Sequence, residues 1–150
     1  MNSPLLAALA GNLVGRKVTF VRLAANSLLV YIECEPGDEF GFTVWLDPTW
    51  HVVSPDAVLA GSRQAQVETD EHSSELEKLT VVQSLLDPLI GRAIVSVRCE
   101  PVTNDLRLSI EGGFELRAFV SDPTDDHNWH IRDNATRQSL RVSSLGFSIR

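Results

Sequence analysis

Cysteine is scarce in this 150-residue chain, which has only Cys34 and Cys99. Two thiols are too few for a disulfide framework, and the reading is free thiols in a reducing cytoplasm. No apolar run is long enough to span a bilayer, so no membrane segment is expected. The short apolar stretch over residues 5–10 has no Lys or Arg before it and so lacks the start of a signal peptide. Neither Gly-x-x-x-x-Gly-Lys nor Gly-x-Gly-x-x-Gly occurs, which removes the common phosphate-binding loops. The strained nucleophile turn Gly-x-Ser-x-Gly is missing as well, although His51, Ser54 and Asp56 lie close together. Neither cysteine stands beside a histidine in sequence.

Positive charge is also short. Thirteen Lys and Arg face twenty Asp and Glu, a net charge of −7. Residues 1–75 hold four of the basic and ten of the acidic side chains, and residues 76–150 hold nine and ten. An acidic surface repels phosphate backbones, so nucleic acid is not an expected partner; a basic protein is attracted. Acidity also serves solubility alone.

The chain does have a pattern that occurs twice. Leu13-Val14-Gly15-Arg16-Lys17-Val18 returns as Leu89-Ile90-Gly91-Arg92-Ala93-Ile94, and Leu28-x-Val30-x-Ile32-Glu33 as Leu106-x-Leu108-x-Ile110-Glu111. Phe40-x-Phe42-x-Val44 aligns with Phe114-x-Leu116-x-Ala118, Asp47-Pro48-Thr49 with Asp122-Pro123-Thr124, and Trp50-His51 with Trp129-His130. The offset is 76 at Gly15/Gly91, 78 at Leu28/Leu106, 74 at Phe40/Phe114, 75 at Asp47/Asp122 and 79 at Trp50/Trp129. Insertions belong in loops, so the matched segments read as strands and the changes of offset as turns. Gly112-Gly113 accepts positive φ at both positions and reads as a tight hairpin, where the first copy has the longer Cys34-Glu35-Pro36-Gly37-Asp38-Glu39.

Each copy opens on helix signals. Ser3-Pro4 suits a cap and first turn, with Gly11 as the stop. Ser74-x-x-Glu77 has capping-box spacing; Leu76, Leu79, Val82 and Leu86 follow on one face, and Asp87-Pro88 and Gly91 mark the exit. Asp133-Asn134 reads as the turn of a final hairpin, with residues 140–149 as its return. The expected class is α+β: an internal duplication in which each copy is a helix followed by an antiparallel meander of about four strands, both sharing one core. The copies span residues 3–61 and 73–150 of a single domain and are joined by a polar linker over residues 62–72, since either copy alone is too small to bury its strand face.

Residues matched in both copies are most simply explained by the shared fold. Arg16/Arg92 and Arg22/Arg98 read as partners of strand-end acids such as Glu33 and Glu111 or of backbone carbonyls. Trp50 and Trp129 read as core anchors. His127 and His130 lie near Asp122, Asp125 and Asp126, but a strand sends the two histidines to opposite faces, and a metal needs three or four converging ligands. No metal site and no cofactor are expected.

The copies differ on the strand face turned away from the core. The second shows Arg107, Ser109, Glu111, Glu115 and Arg117, a solvated surface; the first shows Leu29, Tyr31, Gly41, Thr43 and Trp45. This apolar face is covered by the chain itself, through the 74–87 helix or the 55–60 segment, or it meets a partner or a second copy. Tyr31 and Trp45 are of the types interfaces use as anchors, and Glu35, Asp38 and Glu39 supply an acidic rim.

Leu-x-Gly-Arg, an alternating strand pair and a short Trp-containing strand, each present twice, resemble small uncharacterised bacterial two-repeat proteins. Several families of that shape are immunity proteins of polymorphic toxin systems. The resemblance covers most of residues 13–61 and 89–132 and transfers no functional residue. It implies a cytoplasmic antidote that binds and blocks one toxin domain; the acidity favours a basic one, and the chain is expected to be non-enzymatic and a monomer or homodimer. Tyr31, Trp45, Glu35, Asp38 and Glu39 are the expected contacts. The alternatives are a small-molecule-binding or regulatory domain with a cleft between the repeats, and an enzyme using the Asp125/His127/His130 region.

Overall fold

The protein is described from a computed structural model that covers residues 4–65, 72–120 and 128–150, with the backbone alone for residues 72–76. Helix α1 (Pro4–Leu13) opens the chain, followed by β1 (Val18–Ala24), β2 (Ser27–Ile32), β3 (Phe42–Leu46), β4 (Trp50–Val53) and β5 (Val58–Gly61). Helix α2 (His72–Ser84) and a 3-10 turn (Asp87–Leu89) lead to β6 (Ile94–Cys99), β7 (Leu106–Ile110), β8 (Phe114–Ala118), β9 (Trp129–Asp133), β10 (Gln138–Ser143) and β11 (Gly146–Ile149). The class is α+β, with antiparallel strands in two sheets. No helix among the described residues is long and apolar enough to cross a membrane.

The strand order differs from a pair of self-contained meanders. One sheet runs β1-β2-β3-β9-β10-β11 and the other β5-β4-β8-β7-β6. Each half therefore builds three consecutive strands of one sheet, then sends its later strands to the other sheet. The cause lies in the stretch after the third strand, where Asp47-Pro48-Thr49 turns the chain away before it can fold back on β3. Val44 of β3 consequently faces Ile131 of β9, and Leu116 of β8 faces Val52 of β4.

A reciprocal set of backbone bonds ties the halves at their glycines. The Gly15 N–H donates to Ile94 O and the Gly91 N–H to Val18 O; the Val18 N–H donates to Arg92 O and the Ile94 N–H to Arg16 O. Gly15 and Gly91 have φ of +87° and +88°, the left-handed conformation that glycine adopts without strain. Arg16 donates to Asn12 O and reaches Glu33 at 3.0 Å, while Arg92 donates to Pro88 O at 2.7 Å and to Glu111 O at 3.3 Å. Arg16 and Arg92 thus meet the strand-end positions and carbonyls expected for them; Arg22 instead lies 5.9 Å from the Tyr31 ring centre, and the Arg98 side chain has no acid or carbonyl partner among the described residues.

The register of the third strands corrects one alignment. Ile32 pairs with Phe42, and Ile110 with Phe114. Arg16 lies 5.4 Å from the Phe42 ring and Arg92 lies 4.7 Å from the Phe114 ring. Phe42, not Phe40, is the counterpart of Phe114, and the offset there is 72. Phe40 is 58% exposed and lies in the loop, outside the expected core face. The slip was invisible in sequence because it is two residues, which preserves the alternation of faces.

One cluster of buried side chains draws on both sheets, both helices and the turn after α2. It contains Leu28, Val30, Ile32, Val44 and Leu46 from one sheet, Leu106, Leu108, Ile110 and Leu116 from the other, Leu6, Leu13 and Val82 from the helices, and Leu86 from the turn after α2. Trp50 and Trp129 are fully buried within it, and their indole N–H groups donate to Asn26 O and Asn104 O, both at 2.8 Å. Burying the rings with that donor satisfied avoids the cost of an orphaned N–H.

Other boundaries differ in detail. Gly11 lies inside α1, and Gly15 supplies the turn after it. Helix α2 begins at His72, so Ser74 is inside it and is not its cap. Gly112 and Gly113 both take positive φ, as a tight hairpin requires. The turn after β9 runs to Arg137, and residues 144–145 split the final return into β10 and β11. Ser3, residues 66–71 of the linker and the Asp122–Asp125–Asp126–His127 group lie outside the described residues.

Trp129→Ala removes a fully buried ring that sits where the two halves share a sheet. Its expected cost is about 3–5 kcal/mol, read as a fall in urea midpoint at unchanged m-value.

Candidate functional site

The outer face of the six-stranded sheet, opposite the core, forms from alternate residues of β2, β3 and β9. Leu29 faces Trp45 and Trp45 faces His130; Tyr31 faces Thr43 and Thr43 faces Arg132. The Trp45 and His130 rings stack, with centroids 5.5 Å apart and planes 16° from parallel. The Trp45 indole N–H donates to Asp47 Oδ1 at 2.7 Å, and that oxygen also accepts from Ser27 Oγ at 2.7 Å. These bonds fix the ring upright on the sheet.

The loop between β2 and β3 rises beside this floor. Its first turn is held by the Glu35 N–H donating to Asp38 Oδ2 at 2.7 Å and the Asp38 N–H to Glu35 O at 3.1 Å. Its return is held from β9: the Asn134 side-chain amide donates to Phe40 O at 3.1 Å and to Thr43 Oγ1 at 3.2 Å, and the Asn134 N–H donates to Gly41 O at 3.0 Å. Gly41 is obligatory here. Its φ is +73°, and a Cβ would lie 2.5 Å from Ile32 O and 2.8 Å from the Cys34 Cβ.

Floor and loop enclose an open concavity of about 430 Å³. Glu35, Asp38 and Glu39 line it from the loop, Arg132 and Arg137 from the opposite side, and Tyr31 and Trp45 from below. All five residues singled out by sequence therefore meet in one place. Sequence reasoning did not assign Arg132 or Arg137 any role and placed His130 and Asn134 elsewhere, in the Asp125/His127/His130 region and in a turn; all four reach the site only through the pairing of β3 with β9. No local signal announces that pairing.

The apolar face is covered less by distant segments than by its own surroundings. Leu29, Tyr31 and Cys34 are buried together, packed by Phe20, Ala24 and Trp45, and no described residue of α2 or of the 55–60 segment joins them. Tyr31 is only 5% exposed, with Phe20 edge-on at 5.8 Å and the Arg22 guanidinium 5.9 Å from its ring centre. Trp45 is half-buried and is the more accessible aromatic.

The charges are segregated. Glu39 meets Arg137 at 3.2 Å across the mouth, with both side chains mostly exposed. Arg132 is exposed and has no ion pair among the described residues. The rim is thus acidic on one side and basic on the other, unlike the one-signed rim expected from sequence.

The counterpart face of the five-stranded sheet is polar. Arg107 bridges Glu100 at 3.3 Å and Glu115 at 3.1 Å, and Glu115 also pairs with Arg117. Burial pushes the Glu115 carboxyl up, but hydrogen bonds from Arg107 and Arg117 outweigh it and hold the group below its ordinary value. Burial, reinforced by the charge of Arg117, pushes the His51 imidazole down. Ser54 is a turn-former: its Oγ accepts from the Ala57 N–H at 3.1 Å and is not directed at His51. Burial raises both thiols, Cys99 to about 11, which leaves little nucleophilic thiolate at neutral pH. No group of three metal-ligating side chains occurs among the described residues.

Two outcomes follow from this geometry. Gly41→Ala is expected to cost about 2–4 kcal/mol, from left-handed strain plus the clash, and to move amide resonances of the 33–41 loop while sparing β6–β8. Glu115 has a lowered folded-state pKa, so its contribution is fully present above its ordinary value of 4.5 and is lost as pH falls below that value. The stability gap between wild type and Glu115→Gln is therefore expected to be constant above about pH 5.5 and to close at lower pH in urea titrations. Compared with known proteins, the chain matches no protein-family model, no curated protein and no solved structure.

Proposed function

We propose that the chain is a non-enzymatic protein-binding protein, acting as a cytoplasmic immunity protein that docks a basic bacterial toxin domain onto the outer face of its six-stranded sheet. The observation that carries this reading is the convergence of Trp45, Tyr31, Glu35, Asp38 and Glu39 on one concavity. A fixed aromatic ring with a polar surround is the arrangement that concentrates binding energy at protein interfaces. The net charge of −7 steers a basic partner toward it. We infer further that the two halves arose by duplication; the matched contacts of Gly15 and Gly91, Arg16 and Arg92, and Trp50 and Trp129 support this. The protein acts as a monomer or homodimer in this reading.

A second reading has its own observation. The concavity lies between residues 29–45 and 130–137, where the two halves meet, and its volume of about 430 Å³ falls in the range of small-molecule sites. A small-molecule-binding or regulatory role would use the same residues.

The test is to purify the tagged protein from its host, identify a stoichiometric partner and measure its affinity for variants. Trp45→Ala is expected to weaken binding by about 30-fold, as for an interface hot spot, and Glu35→Lys to slow association. Tyr31→Ala is a poorer probe because Tyr31 is buried and its loss disturbs the sheet. Unchanged affinity in Trp45→Ala, with the fold intact, would sink the docking reading.

A further inference from the structure

The segregated charge of the concavity specifies more than a docking face. The Glu39–Arg137 pair, at 3.2 Å, shows that the loop and the β9–β10 turn stand close enough at the mouth for opposite charges to touch. At Arg132 no such compensation is found among the described residues. Arg132 lies on the floor beside Thr43 with no carboxylate partner among the described residues, although acids outnumber bases in the chain. Among the described residues the Glu35 side chain makes no hydrogen bond or ion pair, and Asp38 spends one oxygen on the Glu35 N–H. The row Tyr31–Thr43–Arg132 lies next to the loop, and the next row on this face carries Leu29 and Trp45, which give the concavity an apolar floor.

A purely cationic guest would leave Arg132 facing it, and a purely anionic guest would face Glu35 and Asp38. A guest that carries both charges at short separation satisfies both sides. We propose that the concavity binds a small zwitterion, an α-amino acid with an apolar side chain. Its carboxylate pairs with Arg132, its ammonium with Glu35 and Asp38, and its side chain lies against Trp45 and Leu29. Charge-assisted bonds of this kind are the stronger hydrogen bonds, and a guanidinium suits a carboxylate in shape as well as sign. The volume of about 430 Å³ holds such a molecule with room for water. This inference rests on the small-molecule reading of the concavity, whose ligand class it names, and does not depend on the protein-docking reading.

The test is titration of the full-length ¹⁵N-labelled protein with L-phenylalanine and L-leucine, each compared with its N-acetyl derivative and its amide. Saturable shifts at Tyr31, Trp45, Arg132 and the 35–39 loop are expected at low-millimolar concentration or below. They are expected to weaken at least about tenfold when either charge of the ligand is blocked, and equally in Arg132→Gln and Glu35→Gln. Both variants replace exposed side chains that have no ion pair among the described residues, so the fold is retained. No saturable shift, or equal shifts with the blocked ligands, would overturn the proposal, the latter by showing an apolar surface indifferent to charge. A partner protein that binds while free amino acids do not would leave the docking reading standing and end this one.

Discussion

The structure depends on an exchange of strands. Each half supplies three adjacent strands to one sheet and completes the other, through β3 against β9 and β4 against β8. Separated, either half would leave an apolar strand edge and one face of its sheet open to water. Joined, the two sheets close over one buried cluster. The reciprocal bonds of Gly15 and Gly91 fix the junction at one end, and the buried tryptophans fix it at the other. Backbone bonds at such a junction contribute little net energy individually, but leaving them unmade in a buried setting costs more, so they set geometry as much as stability.

The concavity is a consequence of the same exchange. Its acidic side and aromatic floor come from the first half, while His130, Arg132 and Arg137 arrive on β9 and the turn after it. In the other sheet the turn between β7 and β8 is short, so no loop rises beside the corresponding face, where Arg107, Arg117 and Phe119 line a hollow of about 310 Å³. Gly112-Gly113 replaces the loop that Gly41 and Asn134 hold upright. Charge follows the same asymmetry. On the five-stranded sheet Arg107 and Arg117 pair with Glu100 and Glu115, whereas Arg132 has no ion pair among the described residues.

Much of this was legible in the sequence. The alternation of Leu28, Val30 and Ile32, the spacing of Leu79, Val82 and Leu86, and the glycines at turns are local signals, and they gave the elements and the core face. The contrast between Tyr31/Trp45 and Glu115/Arg117 pointed to the face that carries the concavity. What could not be read was which strand lies beside which. The pairing of β3 with β9 joins residues more than eighty positions apart, and nothing in either strand favours it over folding back on the nearer neighbour. With that partner unknown, Arg132 and His130 could not be placed opposite the acidic loop. Phe40 misled for a related reason: it keeps the alternation of the strand that follows it, yet the six extra residues of the loop carry it into solvent.

The most direct measurement of the exchange is to produce residues 1–68 and 69–150 as separate chains and record amide spectra alone and mixed. Neither fragment is expected to give a dispersed spectrum by itself, and the equimolar mixture is expected to recover that of the intact protein, with Trp129 buried again. Two fragments that each fold cooperatively on their own, and ignore one another on mixing, would contradict the mutual completion of the sheets on which the concavity depends.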